Sequence, residues 1–221
     1  MKIEDARVAV LAENLYQELE LWYPVLRLRE AGARVVIVGS RAGELYASKI
    51  GYPVVAEVGI DEVSADDFDA VVVPGGFSPE YLRRNRAFVD FVRTLDDRGA
   101  PVAAICHAGW LLASADIVKG RAVTSVAVIK DDVVHAGGDW KNEAVVVDGN
   151  LITSQLPNDL PQFLERILAA LAELPDAPRP MPAVVQNAVP SSAVYTQAAV
   201  LKNRPAGPVS ANYRAYAVPG A

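Results

Sequence analysis

The chain has 221 residues, 52% of them apolar and 22% charged, and its 27 acidic against 21 basic side chains leave a net charge of −6. That composition is that of an ordinary soluble globular protein with ample core, and it argues against the basic footprint of a nucleic-acid binder. One cysteine excludes an internal disulfide, two histidines make a structural zinc site a poor expectation, and no leader or run of ~18 apolar residues favours secretion or membrane insertion. The expected setting is cytoplasmic, without metal or cofactor.

Residues 6–12 (A-R-V-A-V-L-A) form a short apolar run of the kind that makes a strand buried on both faces. A helical segment follows over about residues 16–31, with Leu19, Tyr23 and Leu26 on one face and Arg27, Arg29 and Glu30 largely outside. Pro24 lies within it and has no N–H, so the Glu20 carbonyl loses its helical partner and the backbone is expected to kink there or still to be in its first turn. Glu18 and Glu20 suit a helix start by the dipole rule. Beside so distorted a turn, a carboxylate could instead point back over the sheet.

Gly32 ends that helix, and residues 33–39 (A-R-V-V-I-V-G) read as a second buried strand, completing a βαβ unit. Residues 40–63 read as hairpin material, with arms at 46–50 and 54–58 around Gly51-Tyr52-Pro53. Ser64-Ala65-Asp66-Asp67 resembles a helix start and leads into a third core strand, 70–73, which ends at Pro74-Gly75-Gly76. Glycines directly after a parallel strand allow a tight turn and let a backbone N–H approach a ligand, at the carboxyl edge where open α/β sheets place their sites. Ser78, Pro79 and Glu80 then read as N-cap, first helical residue and first-turn carboxylate, and Arg83, Arg84 and Arg86 as a solvated helix face.

Residues 101–105 make the fourth strand and run into Cys106-His107, and an apolar segment with helical character, 110–118, begins after Gly109. A cysteine on a sharp strand-to-helix turn has the makings of a nucleophile elbow, which lifts the side chain clear of the sheet beside free backbone N–H groups. The helix N-terminus and His107 are both expected to favour the thiolate, so the thiol is expected to titrate below its ordinary value of about 8.5. The alternative is a buried, inert cysteine.

Segments 123–126 and 129–134 continue as strand and helix fragments, and 137–140 reads as a turn. A hairpin around Asp148-Gly149-Asn150 and an amphipathic helix to about residue 174 close the domain, 1–174. From residue 175 onward the chain carries eight of its 15 prolines with no regular period. This reads as an extended arm, anchored by Tyr195, Tyr213 and Tyr216 on its own domain or on a neighbouring subunit.

Five stretches together resemble the ThiJ/PfpI superfamily of intracellular-protease-like and glyoxalase-like stress proteins. They are L-E-L-W-Y-P-V-L-R-L-R-E-A-G (19–32), F-D-A-V-V-V-P-G-G-F-S-P-E (68–80), A-A-I-C-H-A-G (103–109), K-D-D-V-V-H-A-G (130–137) and V-V-V-D-G-N-L-I-T-S (145–154). The resemblance implies a flavodoxin-like α/β three-layer sandwich with a mostly parallel central sheet, related to class I glutamine amidotransferases. It implies Cys106 as nucleophile, Glu20 as the glutamate that hydrogen-bonds it, and N–H groups of Gly76 and His107 as an oxyanion hole. Glu80 matches the acidic residue that, in the protease-like branch, reaches the histidine of an adjacent subunit to complete a Cys-His-Glu triad. A homodimer or higher homo-oligomer, with no nucleic-acid or membrane partner, is expected accordingly.

Three positions depart from the family pattern. Ala108 and Gly109 stand where this branch commonly has glycine then proline, and Gln17 where close relatives often have a second glutamate, which weakens any two-carboxylate mechanism. An anionic Glu20 beside Cys106 would repel a thiolate unless itself protonated, so the two are expected to titrate jointly. The activity implied is that of a cysteine-dependent stress-response enzyme acting on small reactive carbonyls or glycated groups. The alternatives are a cysteine peptidase or amidase, an isonitrile hydratase, and a non-catalytic redox-sensing or chaperone-like stress protein whose cysteine is oxidised to a sulfinic acid.

Overall fold

The computed structural model describes residues 1–176, together with Ala183 and Gln186. The expected arm from residue 175, with its three tyrosines, thus lies almost wholly outside the described residues. The strands are β1 (Arg7–Leu11), β2 (Arg34–Gly39), β3 (Leu45–Ala47), β4 (Pro53–Val55), β5 (Val58–Gly59), β6 (Ala70–Val73), β7 (Val102–Ile105), β8 (Ala122–Val123), β9 (Asp139–Trp140), β10 (Val145–Asp148) and β11 (Leu151–Ser154). The α-helices are α1 (Glu18–Glu30), α2 (Ser78–Leu82), α3 (Arg86–Asp97), α4 (Gly109–Ser114), α5 (Lys130–His135) and α6 (Leu160–Glu173).

Short runs of valine, isoleucine and alanine with no polar alternation can only be strands covered on both faces, and they form the middle of one sheet ordered β10-β11-β7-β6-β1-β2-β5. Every pairing in it is parallel except β10 with β11. Without the two-residue β5 and the antiparallel β10, the order β2-β1-β6-β7-β11 is the flavodoxin-like one, and the chain reverses its direction of progress between β1 and β6. Alternate residues serve opposite layers. Val8, Val10 and Ile37 pack with Leu21, Val25 and Leu28 of α1 and Phe163 and Ile167 of α6. Ala9, Leu11 and Val38 pack with Phe88, Val92 and Leu95 of α3 and Leu111 of α4. At the amino edge a buried bidentate pair, Arg7 Nε and Nη2 to Asp69 at 2.9 Å each, ties β1 to the residue before β6.

The helix after β1 differs most from the reading above. It starts at Glu18, and Pro24 sits in its second turn with the helix continuing past it. Leu19, Tyr23 and Leu26 are 55%, 36% and 61% exposed, whereas Leu21, Pro24, Val25 and Leu28 are buried. Both stripes are apolar at helical spacing, and i, i+3, i+4, i+7 from Leu21 is the one the sheet accepts. Smaller corrections follow from local hydrogen bonding. The hydroxyl of Ser48 accepts the N–H groups of Ile50 and Tyr52, which shortens the β3–β4 hairpin and frees Val58 to join the main sheet. Residues 64–67 make a single capped 3-10 turn. Asp139–Trp140, read as a turn, pairs in parallel with Ala122–Val123, the strand part of 123–126. Helix α4 stops at Ser114, not 118, and Phe77 precedes α2, so Ser78 is its first residue rather than its cap. No helix among the described residues is long and apolar enough to cross a membrane.

Candidate active site

Three loops meet at the carboxyl edge beside the β1–β6 reversal, following β1, β6 and β7. The last of them carries Cys106, whose φ is +62°. A side chain in the left-handed region costs on the order of 1 kcal/mol or more and persists only where the surroundings impose it, which is common at functional turns. Cys106 opens a 3-10 turn, Cys106–Ala108, that hands over to α4. The backbone N–H groups of Gly76 and His107 are both directed at its sulfur. Adjacent side chains on a turn often point apart, but here His107 Nδ1 lies 3.2 Å from Cys106 Sγ. The imidazole is braced edge-on by Trp110 at 5.0 Å between ring centroids, and Trp110 in turn by Phe77 at 5.9 Å.

Glu20 reaches the same sulfur from α1. The Gln17 side-chain oxygen accepts the Glu20 N–H at 2.8 Å and so caps the helix, leaving the Glu20 carboxyl free of that duty. Glu20 is fully buried, and its Oε2 accepts the Gly75 N–H at 2.8 Å. Its Oε1 has no conventional hydrogen-bond partner and is the oxygen left for the thiol. The backbone at Gly75 passes between the two groups: a Cβ there would come within 2.6 Å of Glu20 Oε2 and 2.7 Å of Cys106 Cβ.

The loop between β1 and α1 is zipped to the one after β6. The Phe77 N–H donates to the Leu15 carbonyl at 2.8 Å and the Gln17 N–H to the Gly75 carbonyl at 3.3 Å, with Tyr16 and Gly76 in a bridge. Gly76 has φ +72°, and a Cβ on it would collide with the Leu15 carbonyl oxygen and lie 2.6 Å from the Gln17 nitrogen. Gly76→Ala is therefore expected to cost about 2–4 kcal/mol in denaturant unfolding, from backbone strain and overpacking together. A loss well under 1 kcal/mol would mean that the two loops are not held by this contact.

Burial pushes the Glu20 carboxyl up to about 7, against the opposing pull of the Gly75 N–H. Burial, and then the charge of Glu20, push the Cys106 thiol up to about 12. Burial chiefly, and the nearby Lys49 charge, lower His107, so the imidazole is neutral at neutral pH. The expectation of a thiol below its ordinary value, helped by an imidazolium and a helix dipole, is thus corrected. The helix behind the cysteine has only six residues and the imidazole carries no charge to lend. What the pocket holds instead is one acidic proton to be placed on either carboxyl or sulfur.

Of the residues expected from the sequence, Cys106, His107, Glu20 and Gly76 come together. Glu80 accepts hydrogen bonds from Arg84 Nη2 at 3.1 Å and Nε at 3.3 Å and lies 3.8 Å from Arg83. Within one chain it is thus engaged on its own helix surface. Sequence reasoning missed Gly75 as the anchor of Glu20, the aromatic brace of Phe77 and Trp110, and Lys49. Only the first had a signal, in Pro74-Gly75-Gly76, and that signal did not say which group would come so close.

A cysteine on a strained turn at the carboxyl edge of a flavodoxin-like sheet, with a buried glutamate and two N–H groups facing it, defines an α/β protein with a nucleophile-elbow site. The chain belongs to the DJ-1/PfpI family, whose model matches residues 6–170. It is 40% identical over 165 residues to the Deglycase PfpI of Pyrococcus furiosus, covering 75% of this chain and 99% of that protein. To the Protein/nucleic acid deglycase 2 of Escherichia coli it is 41% identical over 167 residues, covering 75% and 97%. Among solved structures it is similar to a two-domain protein of Anabaena variabilis with DJ-1/ThiJ/PfpI-like and ferritin-like domains, at TM-score 0.74 and 41% identity. That match covers 79% of this chain and 52%, about half, of the Anabaena protein.

Proposed function

We propose that this chain is a cysteine-dependent stress-response enzyme of the PfpI type that acts on small reactive carbonyls and glycated groups. The observation that carries the reading is the fully buried carboxyl of Glu20, hydrogen-bonded to the thiol of a cysteine held at φ +62°. The names of the Pyrococcus and Escherichia relatives support the substrate class.

In this reading Glu20 takes the sulfur's proton, and the thiolate attacks the carbonyl carbon. A C–S bond forms, the carbonyl π electrons move onto oxygen, and the N–H groups of Gly76 and His107 receive the oxyanion. Each such donor is worth on the order of 3 kcal/mol in the transition state. The neutral His107 imidazole, 3.2 Å from the sulfur, moves protons between the adduct and water. Incubation with methylglyoxal should release lactate catalytically. A stoichiometric adduct without product would instead support the non-catalytic, redox-sensing alternative.

The active form we propose is a homodimer or larger homo-oligomer. The stripe of Leu19, Tyr23 and Leu26 and the hairpin residues Ile50 and Tyr52 are exposed, large and apolar. Glu80, engaged within its own chain by exposed arginines, completes a neighbouring subunit's site in this assembly. Two inactive variants, Cys106→Ala and Glu80→Ala, should then recover activity when unfolded and refolded together, since mixed oligomers contain intact sites. No recovery on mixing, or full activity of Glu80→Ala alone, would remove Glu80 from the mechanism.

A further inference from the structure

One charged side chain at this edge has no part in the chemistry described so far. Lys49 lies in the turn between β3 and β4, is exposed, and has its N–H on the Tyr16 carbonyl at 2.9 Å. Tyr16 bridges Gly76, whose N–H faces the Cys106 sulfur, so two hydrogen-bonded strands of backbone fix the lysine's position relative to the nucleophile. The next residue is tied as well, the Ile50 N–H donating to Glu18 Oε1 at 2.8 Å at the start of α1. The ammonium forms no ion pair among the described residues, although ion pairs are common elsewhere in them. Its charge is felt at both Glu20 and His107, on the two sides of the sulfur.

A neutral imidazole and a buried acid lend an incoming anionic group no positive charge, and a chain of net charge −6 repels it at long range. We propose that Lys49 is a specificity-determining residue that draws carbonyl compounds bearing a carboxylate or comparable anionic group to Cys106. The proposal rests on Cys106 being the nucleophile, and it adds the charge class of the substrate. A flexible, unpaired ammonium on a backbone tied to the site is suited to this, since it can meet an anion without first breaking an ion pair.

The test uses two alkylating reagents of nearly equal shape, iodoacetate and iodoacetamide, which differ in charge. In both reactions the sulfur pair forms the new C–S bond and iodide leaves with the electrons of the C–I bond. The chain's single cysteine makes the readout specific. Lys49→Met is expected to lower the iodoacetate-to-iodoacetamide rate ratio about tenfold at low salt, from the loss of the ammonium whose charge acts on both groups beside the sulfur. Lys49→Arg should keep the ratio, and added salt should shrink it in the unmodified protein. Any change in thiolate population caused by the substitution affects both reagents alike and cancels. An unchanged ratio in Lys49→Met overturns the proposal, whereas failure of both reagents to label the folded, unmodified protein would overturn the nucleophile reading beneath it.

Discussion

Glu20→Gln is expected to lower turnover by about 10²–10⁴-fold while making the folded protein more stable at alkaline pH. The first effect follows from removing the group that holds the sulfur's proton, because a glutamine cannot accept it. The second follows from burial. The folded carboxyl is pushed up to about 7, so between its ordinary 4.5 and 7 the folded state binds a proton that the unfolded state has already lost. Stability therefore falls as pH rises through that window, by about 1.4 kcal/mol per pH step, and stays lower above it by roughly 3.5 kcal/mol. Glutamine carries no such penalty, so the variant's unfolding free energy should fall less across the window than the parent's and exceed it above the window. Guanidinium titrations at several pH values read this directly. Parallel pH profiles for the two proteins would mean that Glu20 is solvated and ordinary.

Cys106→Ala should abolish carbonyl turnover, by about 10⁴-fold or more, since loss of a covalent nucleophile leaves only the binding and oxyanion contributions. The fold should survive, because alanine fits where the sulfur was. It should gain little stability, because alanine at φ +62° is strained much as cysteine is. Cys106→Gly, by contrast, releases that strain and should be more stable than the alanine variant by about 1 kcal/mol, offset in part by glycine's extra freedom in the unfolded chain. Activity persisting in the alanine variant at more than a few per cent would require a route without a sulfur–carbon bond.

The strands that position the site were legible because their burial on both faces removes any polar alternation, as in residues 33–39 and 101–105. The elbow was legible for the same reason, a strand running directly into Cys106-His107 and then a helix. The packed face of α1 was not, because two apolar stripes compete in its sequence and only the sheet decides between them. The ionisation of the cysteine was misread. Sequence shows that a helix and a histidine come next, but not that the helix is short, that the imidazole is too buried to be charged, or that Glu20 arrives fully desolvated. Lys49 lies in a hairpin turn whose sequence resembles any exposed turn. Its relation to the site exists only through Tyr16 and Gly76, which are far apart in the chain.

In the mechanism proposed, Cys106 becomes a nucleophile by giving its proton to the Glu20 carboxylate as it attacks, and the rate of Cys106 alkylation by iodoacetamide as a function of pH tests this most directly, with Cys106→Ala as the blank. The rate should rise over the ionisation of Glu20 near about 7, where the carboxylate becomes able to take the sulfur's proton as the C–S bond forms, and that rise should be absent in Glu20→Gln. If the rate in the parent rises only as free thiolate forms near about 12, with no step near 7, the Glu20 carboxylate takes no part and Cys106 is not activated as proposed.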